Sequence, residues 1–302
     1  MEYHGSVPYC YANSVAMLLS AHGDRVYPGL VEVLTGVGLG AVQAPDGRIW
    51  LSTTPQQVPA GVDKALELLG FDVTTAAGPE DADVLELLRA DLATGPVMLG
   101  PLDMGHLTYI PWHGALAGSD HYLVAYAVEG GRALLQDPAG FPCTALDRES
   151  LARAWRAERI GAPGGPFRRW LRPRRVARPT PERLHDDAMA WFREVYRDLP
   201  PGDGVIRALA KHLRPGRVAE GERGLLTAFT FPLGARRALD YADFFAEGGD
   251  AELAAAKRGQ ARLLGECLLA ANRDDWSRVA DALDQLADLE EDLDRAFTGG
   301  RP

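Results

Sequence analysis

The apolar residues in the first half of the chain recur in short runs, some with helical spacing and some continuous, as in buried strands. The run that follows Pro8 and begins at Cys10 predicts a helix, and "VDKALELLGF" (62–71) predicts another that stops at Gly70. "FDVTTA" and "PVMLGPL" predict strands, and "DADVLELLRADLATG" (81–95) predicts an amphipathic helix. This half therefore combines helices with a sheet.

A β-hairpin is the clearest local signal in the chain. "HYLVAYAV", "EGG" and "RALLQDP" follow one another, so two strands flank a glycine turn. The first strand begins at His121 and the second ends at Asp137. Because paired strands joined by a tight turn run antiparallel, we expect these two residues to lie side by side. A helix over 147–159 follows, with Asp147 or alternatively Ser150 as its N-cap.

Helical periodicity dominates the second half of the chain. Residues 161–180 are rich in Gly, Pro and Arg, which favours a linker or an ordered arm over a core element. Beyond them, "PERLHDDAMAWFREVYRDL" and "WSRVADALDQLADLEEDLDRAF" each carry one apolar stripe at helical spacing. We therefore predict three parts: a domain of helices and strands at 1–160, an Arg/Pro-rich linker at 161–180 and a helical domain at 181–302.

Composition restricts the possible functions. The net charge of −10 over 302 residues lacks the basic footprint of a nucleic-acid binder. No stretch approaches the roughly 20 apolar residues of a membrane helix, and no secretory signal is apparent. The three cysteines are far apart, form no metal-ligand spacing and favour a reducing cytoplasm. We predict a cytoplasmic protein without a metal site. The amphipathic helices are compatible with internal packing or with a homodimer.

The order of Cys10, His121 and Asp137 predicts a thiol-dependent active site. At a helix start the backbone dipole favours a thiolate, and the hairpin lets Asp137 hold His121 as the base that takes the Cys10 proton. Each residue alone also has a structural interpretation, as a core cysteine, a strand-end histidine or the Asp of a strand-ending Asp-Pro. Their order is typical of a papain-type fold. Cys143 and Cys267 lack such a setting and are predicted to be structural.

Several segments, in this order, resemble known cysteine enzymes. The Cys helix followed by a His-strand-turn-strand-Asp-Pro unit is similar to peptidases that process double-glycine leaders. "HGSVPYCYANSVAMLL", "GVGLGAV" and "LGPLDMGHLTYIPWHGALAGSDHYLVAYAVEGGRALLQDP" resemble the family of butirosin biosynthesis protein H even more closely. The tail from "ARRALDYADFF" to "WSRVADAL" looks like the helical domain that often follows in that family. The resemblance implies an α+β, papain-like fold, with an N-terminal helix packed on an antiparallel sheet, followed by an all-helical region.

The resemblance also implies an activity. In that family a thiol takes an acyl or aminoacyl group from the phosphopantetheine thioester of a carrier protein and passes it to an amine of a small natural product. Cys10 would be the acylated nucleophile, His121 the base and then acid, and Asp137 its orienting partner. The implied partners are an acyl carrier protein and a small amine, with no cofactor held by the chain itself. Two alternatives stay open: a thioesterase or peptidase with the same triad, and a non-catalytic papain-like binding protein.

The remaining site predictions concern the oxyanion and the substrates. Where papain-like enzymes have a Gln before the cysteine, this chain has His4, so His4 and the backbone N–H of Cys10 are the predicted oxyanion donors. The position of His4 is equally compatible with an exposed N-terminal residue. The predicted substrate contacts are Asn13, Asp103, Tyr109, Trp112 and His113, with Asp103 suggested for an acceptor ammonium. The four residues from 103 to 113 are equally compatible with a structured surface loop. The six arginines between 168 and 178 either steer an acidic carrier protein or pair with carboxylates of the chain itself. We favour the second interpretation.

Overall fold

A computed structural model of the chain describes residues 1–5, 8–44, 47–54, 58–161 and 164–299. The α-helices are α1 (Cys10–Ala21), α2 (Pro28–Leu34), α3 (Val58–Leu68), α4 (Val84–Leu92), α5 (Arg148–Arg156), α6 (Pro181–Asp198), α7 (Gly202–Leu213), α8 (Glu220–Leu225), α9 (Phe231–Glu247), α10 (Ala251–Ala271) and α11 (Trp276–Thr298). The strands are β1 (Ala41–Gln43), β2 (Ile49–Leu51), β3 (Phe71–Ala76), β4 (Val97–Asp103), β5 (Asp120–Glu129), β6 (Arg132–Asp137), β7 (Phe141–Asp147) and β8 (Arg169–Arg175). Short 3₁₀ helices lie at Met104–His106, His113–Leu116 and Glu158–Ile160, and a π-helical segment lies at Leu226–Thr230.

The chain forms two compact units. The first contains residues 1–31 and 57–178, and the second contains residues 32–56 and 179–302. The predicted α+β class is confirmed: the first unit has an N-terminal helix on an antiparallel sheet, and the C-terminal region is helical. The predicted boundaries differ in two respects: residues 32–56, with strands β1 and β2, belong to the second unit, and residues 164–178 of the predicted linker belong to the first.

A six-stranded antiparallel sheet forms the centre of the first unit, with the strand order β3-β8-β4-β5-β6-β7. Helix α1 packs against β5 and β4, while α4 and α5 contribute to an apolar core that includes Leu99, Leu123 and Trp155. The predicted hairpin is present as β5 and β6. Its turn is Gly130-Gly131, both with positive φ, which matches the twist of a two-residue hairpin turn.

The predicted linker was wrong for residues 169–175. They form β8, which pairs with β3 on one side and β4 on the other. Trp170 and Leu171 are buried, while arginines of the same strand are paired with carboxylates, as in Arg169–Asp91 and Arg174–Asp72. Charge neutralisation therefore lets an arginine-rich segment serve as an inner strand.

Most of the arginines between 168 and 178 have carboxylate partners within the same unit. The pairs are Arg168–Asp63, Arg169–Asp91, Arg174–Asp72, Arg175–Asp24 and Arg178–Asp24. The sixth, Arg172, donates to the hydroxyl of Thr94. These contacts agree with the interpretation that this basic segment neutralises the chain's own acidic residues.

Helices build the second unit around an apolar core. Helix α9 packs on α10, and α11 packs on α7 and α10. The core includes Leu209, Phe231, Leu264, Cys267 and Leu283, all nearly inaccessible to solvent. None of the helices formed by the described residues combines the length and the apolar character needed to cross a membrane.

Candidate active site

The hairpin brings His121 and Asp137 together, as predicted. The Nε2 atom of His121 lies 2.7 Å from Oδ1 of Asp137, and both side chains are buried. His121 is the second residue of β5 and Asp137 is the last residue of β6, so 16 residues of sequence separate two groups in direct contact. The local pairing of two strands is sufficient to form this part of the site.

Asp137 is a fully buried carboxylate with several donors. Oδ1 accepts from the backbone N–H of Ala139 at 2.6 Å as well as from His121, and Oδ2 accepts from the hydroxyl of Tyr109 at 2.5 Å. Burial alone would raise the pKa of Asp137, but His121 and these hydrogen bonds outweigh it and lower the pKa. The side chain is therefore an ionised acceptor.

The same contact fixes the orientation of the imidazole. Because an ionised carboxylate can only accept, Nε2 of His121 must donate to Asp137, and Nδ1 is the nitrogen left for another partner. Burial lowers the pKa of His121, but the charge and hydrogen bond of Asp137, together with a hydrogen bond and charge interaction with Cys10, raise it well above its ordinary value. His121 thus lies between the acid and the thiol.

Cys10 is the first residue of α1 and is a half-buried free thiol. Its hydrogen bond with His121 joins the third predicted residue to the pair. The three predicted triad residues thus meet, although Cys10 lies more than 100 residues from the histidine in sequence. A thiol, an imidazole and a carboxylate in this order can support nucleophilic catalysis at an acyl carbon.

The backbone N–H of Cys10, one of the two predicted oxyanion donors, is hydrogen-bonded within its own segment. The backbone N–H of Cys10 donates to the carbonyl of Pro8 at 2.8 Å, and Tyr9 between them has the φ and ψ of an inverse γ-turn, −77° and 58°. This N–H is therefore occupied in the structure. His4 is half-buried, and within the described part of the chain it forms no hydrogen bond to the triad. Its role as a donor stays a prediction.

Three of the predicted substrate contacts instead hold the loop between β4 and β5. Asp103 is 1% exposed, and its Oδ1 accepts from the backbone N–H groups of Gly105 and Gly118 at 2.8 and 2.9 Å. Nδ1 of His113 lies 2.7 Å from the carbonyl of Gly105. Tyr109, in the same loop, donates to Asp137. The predicted binding of an ammonium by Asp103 is thus replaced by a role in closing this loop.

The other two predicted contacts differ in exposure. Trp112 is 60% exposed and its ring lies 6.5 Å from that of Phe141, so it is accessible to a ligand. Asn13 is buried in α1, one turn after Cys10, at 1% exposure. Its burial contradicts a direct substrate contact in this conformation.

The other two cysteines have unlike surroundings. Cys267 is buried in the helical unit, where burial raises the pKa of its thiol to about 12. Cys143, predicted to be structural, is instead exposed on the edge strand β7, with a φ of 53°. Its backbone N–H and its sulfur both contact Gln136.

The sequence did not indicate that two tyrosine hydroxyls donate to Asp137. Tyr3 donates to the backbone carbonyl of Asp137 at 2.7 Å, and Tyr109 donates to the carboxylate. These tyrosines are 134 and 28 residues away from Asp137, and no periodicity connects them to it. Within the described residues, no group of three or more His, Cys, Asp or Glu side chains is arranged to hold a metal ion.

Comparison with known proteins relates both units to one group of proteins. Residues 198–298 match the family model described as the YobF C-terminal domain. Over 300 residues the chain is 36% identical to the uncharacterized protein YobF of Bacillus subtilis (strain 168), with 97% of each chain covered. The similarity therefore includes the unit that carries the triad as well as the helical unit.

Proposed function

This chain belongs to the YobF family, and we propose that it is a cysteine-dependent acyltransferase in which Cys10 carries the acyl group. One observation carries the proposal: the thiol of Cys10 interacts with His121, and Nε2 of that imidazole is hydrogen-bonded to a buried carboxylate whose pKa is lowered. A cysteine with only a packing role would not require an imidazole and a carboxylate beside it. We infer a papain-like fold for the first unit from the same placement of helix, hairpin and triad.

The first half-reaction acylates the thiol. Nδ1 of His121 accepts the proton of Cys10, and the thiolate attacks the carbonyl carbon of a thioester donor. The carbon–sulfur bond of the donor then breaks, and its thiol leaves with the proton that the imidazolium returns. Asp137 supports the imidazolium throughout, because its carboxylate accepts from Nε2 at 2.7 Å.

The second half-reaction transfers the acyl group. An amine attacks the Cys10 thioester, His121 takes a proton from that amine, and the sulfur of Cys10 leaves to regenerate the thiolate–imidazolium pair. Both tetrahedral intermediates carry an oxyanion. In this proposal the N–H of Cys10 leaves the carbonyl of Pro8 and donates to that oxyanion, together with His4.

The class of substrate follows from the resemblance to the family of butirosin biosynthesis protein H. We propose an acyl or aminoacyl group on the phosphopantetheine of a carrier protein as donor, and an amine of a small natural product as acceptor. The exposed Trp112 is the predicted substrate contact that the structure leaves accessible. The free thiols of Cys10, Cys143 and Cys267 support a reducing compartment, and we propose the cytoplasm.

In the test, the chain is incubated with an aminoacyl pantetheine thioester and then analysed by peptide mass spectrometry. Adducts at Cys10 are counted separately from adducts at the exposed Cys143. We expect an adduct at Cys10 that disappears in Cys10→Ala and forms roughly 10²–10⁴-fold more slowly in His121→Ala. Cys143→Ser is the matched control, because it removes an accessible thiol outside the triad and is expected to leave the Cys10 adduct unchanged.

The fate of the adduct separates the alternatives. Release by an added amine supports acyl transfer, whereas release by water at the same rate with and without amines identifies a thioesterase. If Cys10→Ala retains wild-type labelling, or if no adduct forms at Cys10, the proposal is wrong. The second outcome leaves the non-catalytic binding protein.

A further inference from the structure

We propose that Tyr109 is a positioning residue for the triad, whose hydroxyl keeps Asp137 ionised and oriented toward His121. This inference rests on the proposed thiol chemistry and adds a residue to it. Tyr109 does not touch Cys10 or a substrate in this role; it acts through Asp137.

The first support is the direction of the hydrogen bond. Oδ2 of Asp137 lies 2.5 Å from the hydroxyl of Tyr109, and burial together with the negative charge of Asp137 raises the pKa of Tyr109 well above its ordinary value. The phenol thus keeps its proton and donates. Because Oδ1 already accepts from His121 and Ala139, the Tyr109 hydroxyl satisfies the second carboxylate oxygen.

The second support is the loop that carries Tyr109. Asp103, at the end of β4, binds the N–H groups of Gly105 and Gly118 and so closes the loop at its base. His113 fixes the carbonyl of Gly105 from the far side of the loop. A Cβ at Gly105 would come within 2.8 Å of the backbone of Ala117, so the two ends of the loop lie in close contact. This segment holds Tyr109 in a defined position.

The third support is that the buried Asp137 requires compensation for its lost hydration. Asp137 is 0% exposed, and a buried carboxylate stays ionised only when charges and donors compensate for lost water. Without the Tyr109 hydroxyl, Asp137 would hold a proton to a higher pH. A protonated Asp137 no longer supports an imidazolium at His121, so the thiolate–imidazolium pair would form only at higher pH.

The experiment measures the rate of alkylation of Cys10 by iodoacetamide between pH 3 and 10, followed at the Cys10 peptide by mass spectrometry. This readout follows the ionisation of Cys10 whether or not an acyl group is transferred. For Tyr109→Phe we expect the acid limb to move to higher pH, with alkylation on that limb roughly tenfold slower than in the wild type. A loss of packing alone would lower the rate at every pH and leave the midpoint of the limb in place.

Tyr3→Phe is the matched control. Tyr3 also donates its hydroxyl to Asp137, but to the backbone carbonyl, which does not titrate. We expect its acid limb to keep the wild-type midpoint. Asp103→Ala keeps the Tyr109 hydroxyl but opens the base of the loop, and it is expected to move the limb in the same direction as Tyr109→Phe. If Tyr109→Phe does not fold, the midpoint of the acid limb in Asp103→Ala tests the inference.

Two results would overturn the inference and leave the proposed function intact: a wild-type midpoint in folded Tyr109→Phe, or an equal shift in Tyr3→Phe. A wild-type Cys10 that ionises like a thiol in an unfolded peptide would overturn both, since there would be no ion pair for Tyr109 to support.

Discussion

Replacement of Asp137 by asparagine separates the charge of the acid from its geometry. The amide oxygen of Asp137→Asn can accept from His121 and Ala139 as Oδ1 does, while its NH₂ group donates to the hydroxyl of Tyr109, which rotates to accept. All three neighbours keep a hydrogen bond, and only the negative charge is lost. The variant therefore measures the electrostatic contribution of Asp137 to the triad.

The distance gives the scale of that contribution. With 2.7 Å between Nε2 and Oδ1, the centres of the two charges are about 4 Å apart, and at an effective dielectric constant near 20 they attract by about 4 kcal/mol. The remaining interaction with Cys10 and the retained hydrogen bond preserve part of the support. We expect a fall of about 10- to 100-fold in the rate of acylation at neutral pH, or about 1.4–2.7 kcal/mol. This effect is smaller than that of His121→Ala.

The same variant predicts a pH dependence of stability. The pKa of Asp137 is lowered in the folded state, so its contribution is present above the ordinary value of 3.8 and is lost as the pH falls through the folded value. The pKa of His121 is raised, so its contribution is complete below 6.5 and is lost as the pH rises through the folded value. The wild type should exceed Asp137→Asn in stability most between pH 3.8 and 6.5.

Acylation kinetics and thermal unfolding from pH 3 to 9 test these expectations together. If Cys10 of Asp137→Asn is acylated at the wild-type rate, the proposed mechanism is refuted, since the charge of Asp137 would then contribute nothing to the triad. A difference in melting temperature that does not change with pH would refute the electrostatic assignment. In that case the effect of Asp137 would come from packing alone.

Two further predictions concern the helical unit. Glu32→Ala removes the carboxylate that Arg237 bonds at 2.7 Å and leaves a buried guanidinium charge, so we expect a loss of about 3–5 kcal/mol in urea unfolding. The exposed Glu67→Ala is the control and should change the free energy of unfolding by less than about 1 kcal/mol; equal losses would contradict the prediction. Burial lowers the pKa of Lys257 despite the charge of Glu290, so the wild type should gain stability relative to Lys257→Met as the pH rises toward 10.5. A difference in unfolding free energy that stays flat from pH 7 to 10 would contradict this.

The parts of the site that could be predicted from the sequence are those formed by residues close together in the chain. His121 and Asp137 belong to one hairpin, and the glycine turn with two apolar strands fixes which residues meet. The position of Cys10 at the start of a helix follows from the apolar run after it. These signals lie within about 20 residues, where pattern and turn chemistry determine structure.

Long-range compensation explains the errors. The local pattern predicts arginine-rich β8 as part of a linker, because the carboxylates that neutralise its charges are distant in sequence, as Asp91 is at 78 residues from Arg169. The local pattern also places residues 32–56 in the predicted domain at 1–160, although β1 and β2 belong to the helical unit. In both cases the residues that determine the structural role of the segment lie far away along the chain.

A buried acid in a predicted triad also depends on hydrogen-bond donors from outside the triad. A carboxylate can accept about four hydrogen bonds, and the imidazole takes one, so a buried acid needs further donors from elsewhere. Asp137 obtains them from Ala139 and from Tyr109, one of the predicted substrate contacts. Asp103 and His113, which are also predicted substrate contacts, hold the loop that carries Tyr109. Polar residues in a loop before a catalytic strand are therefore to be considered first as supports of the acid, and as substrate contacts only when, like Trp112, they remain exposed.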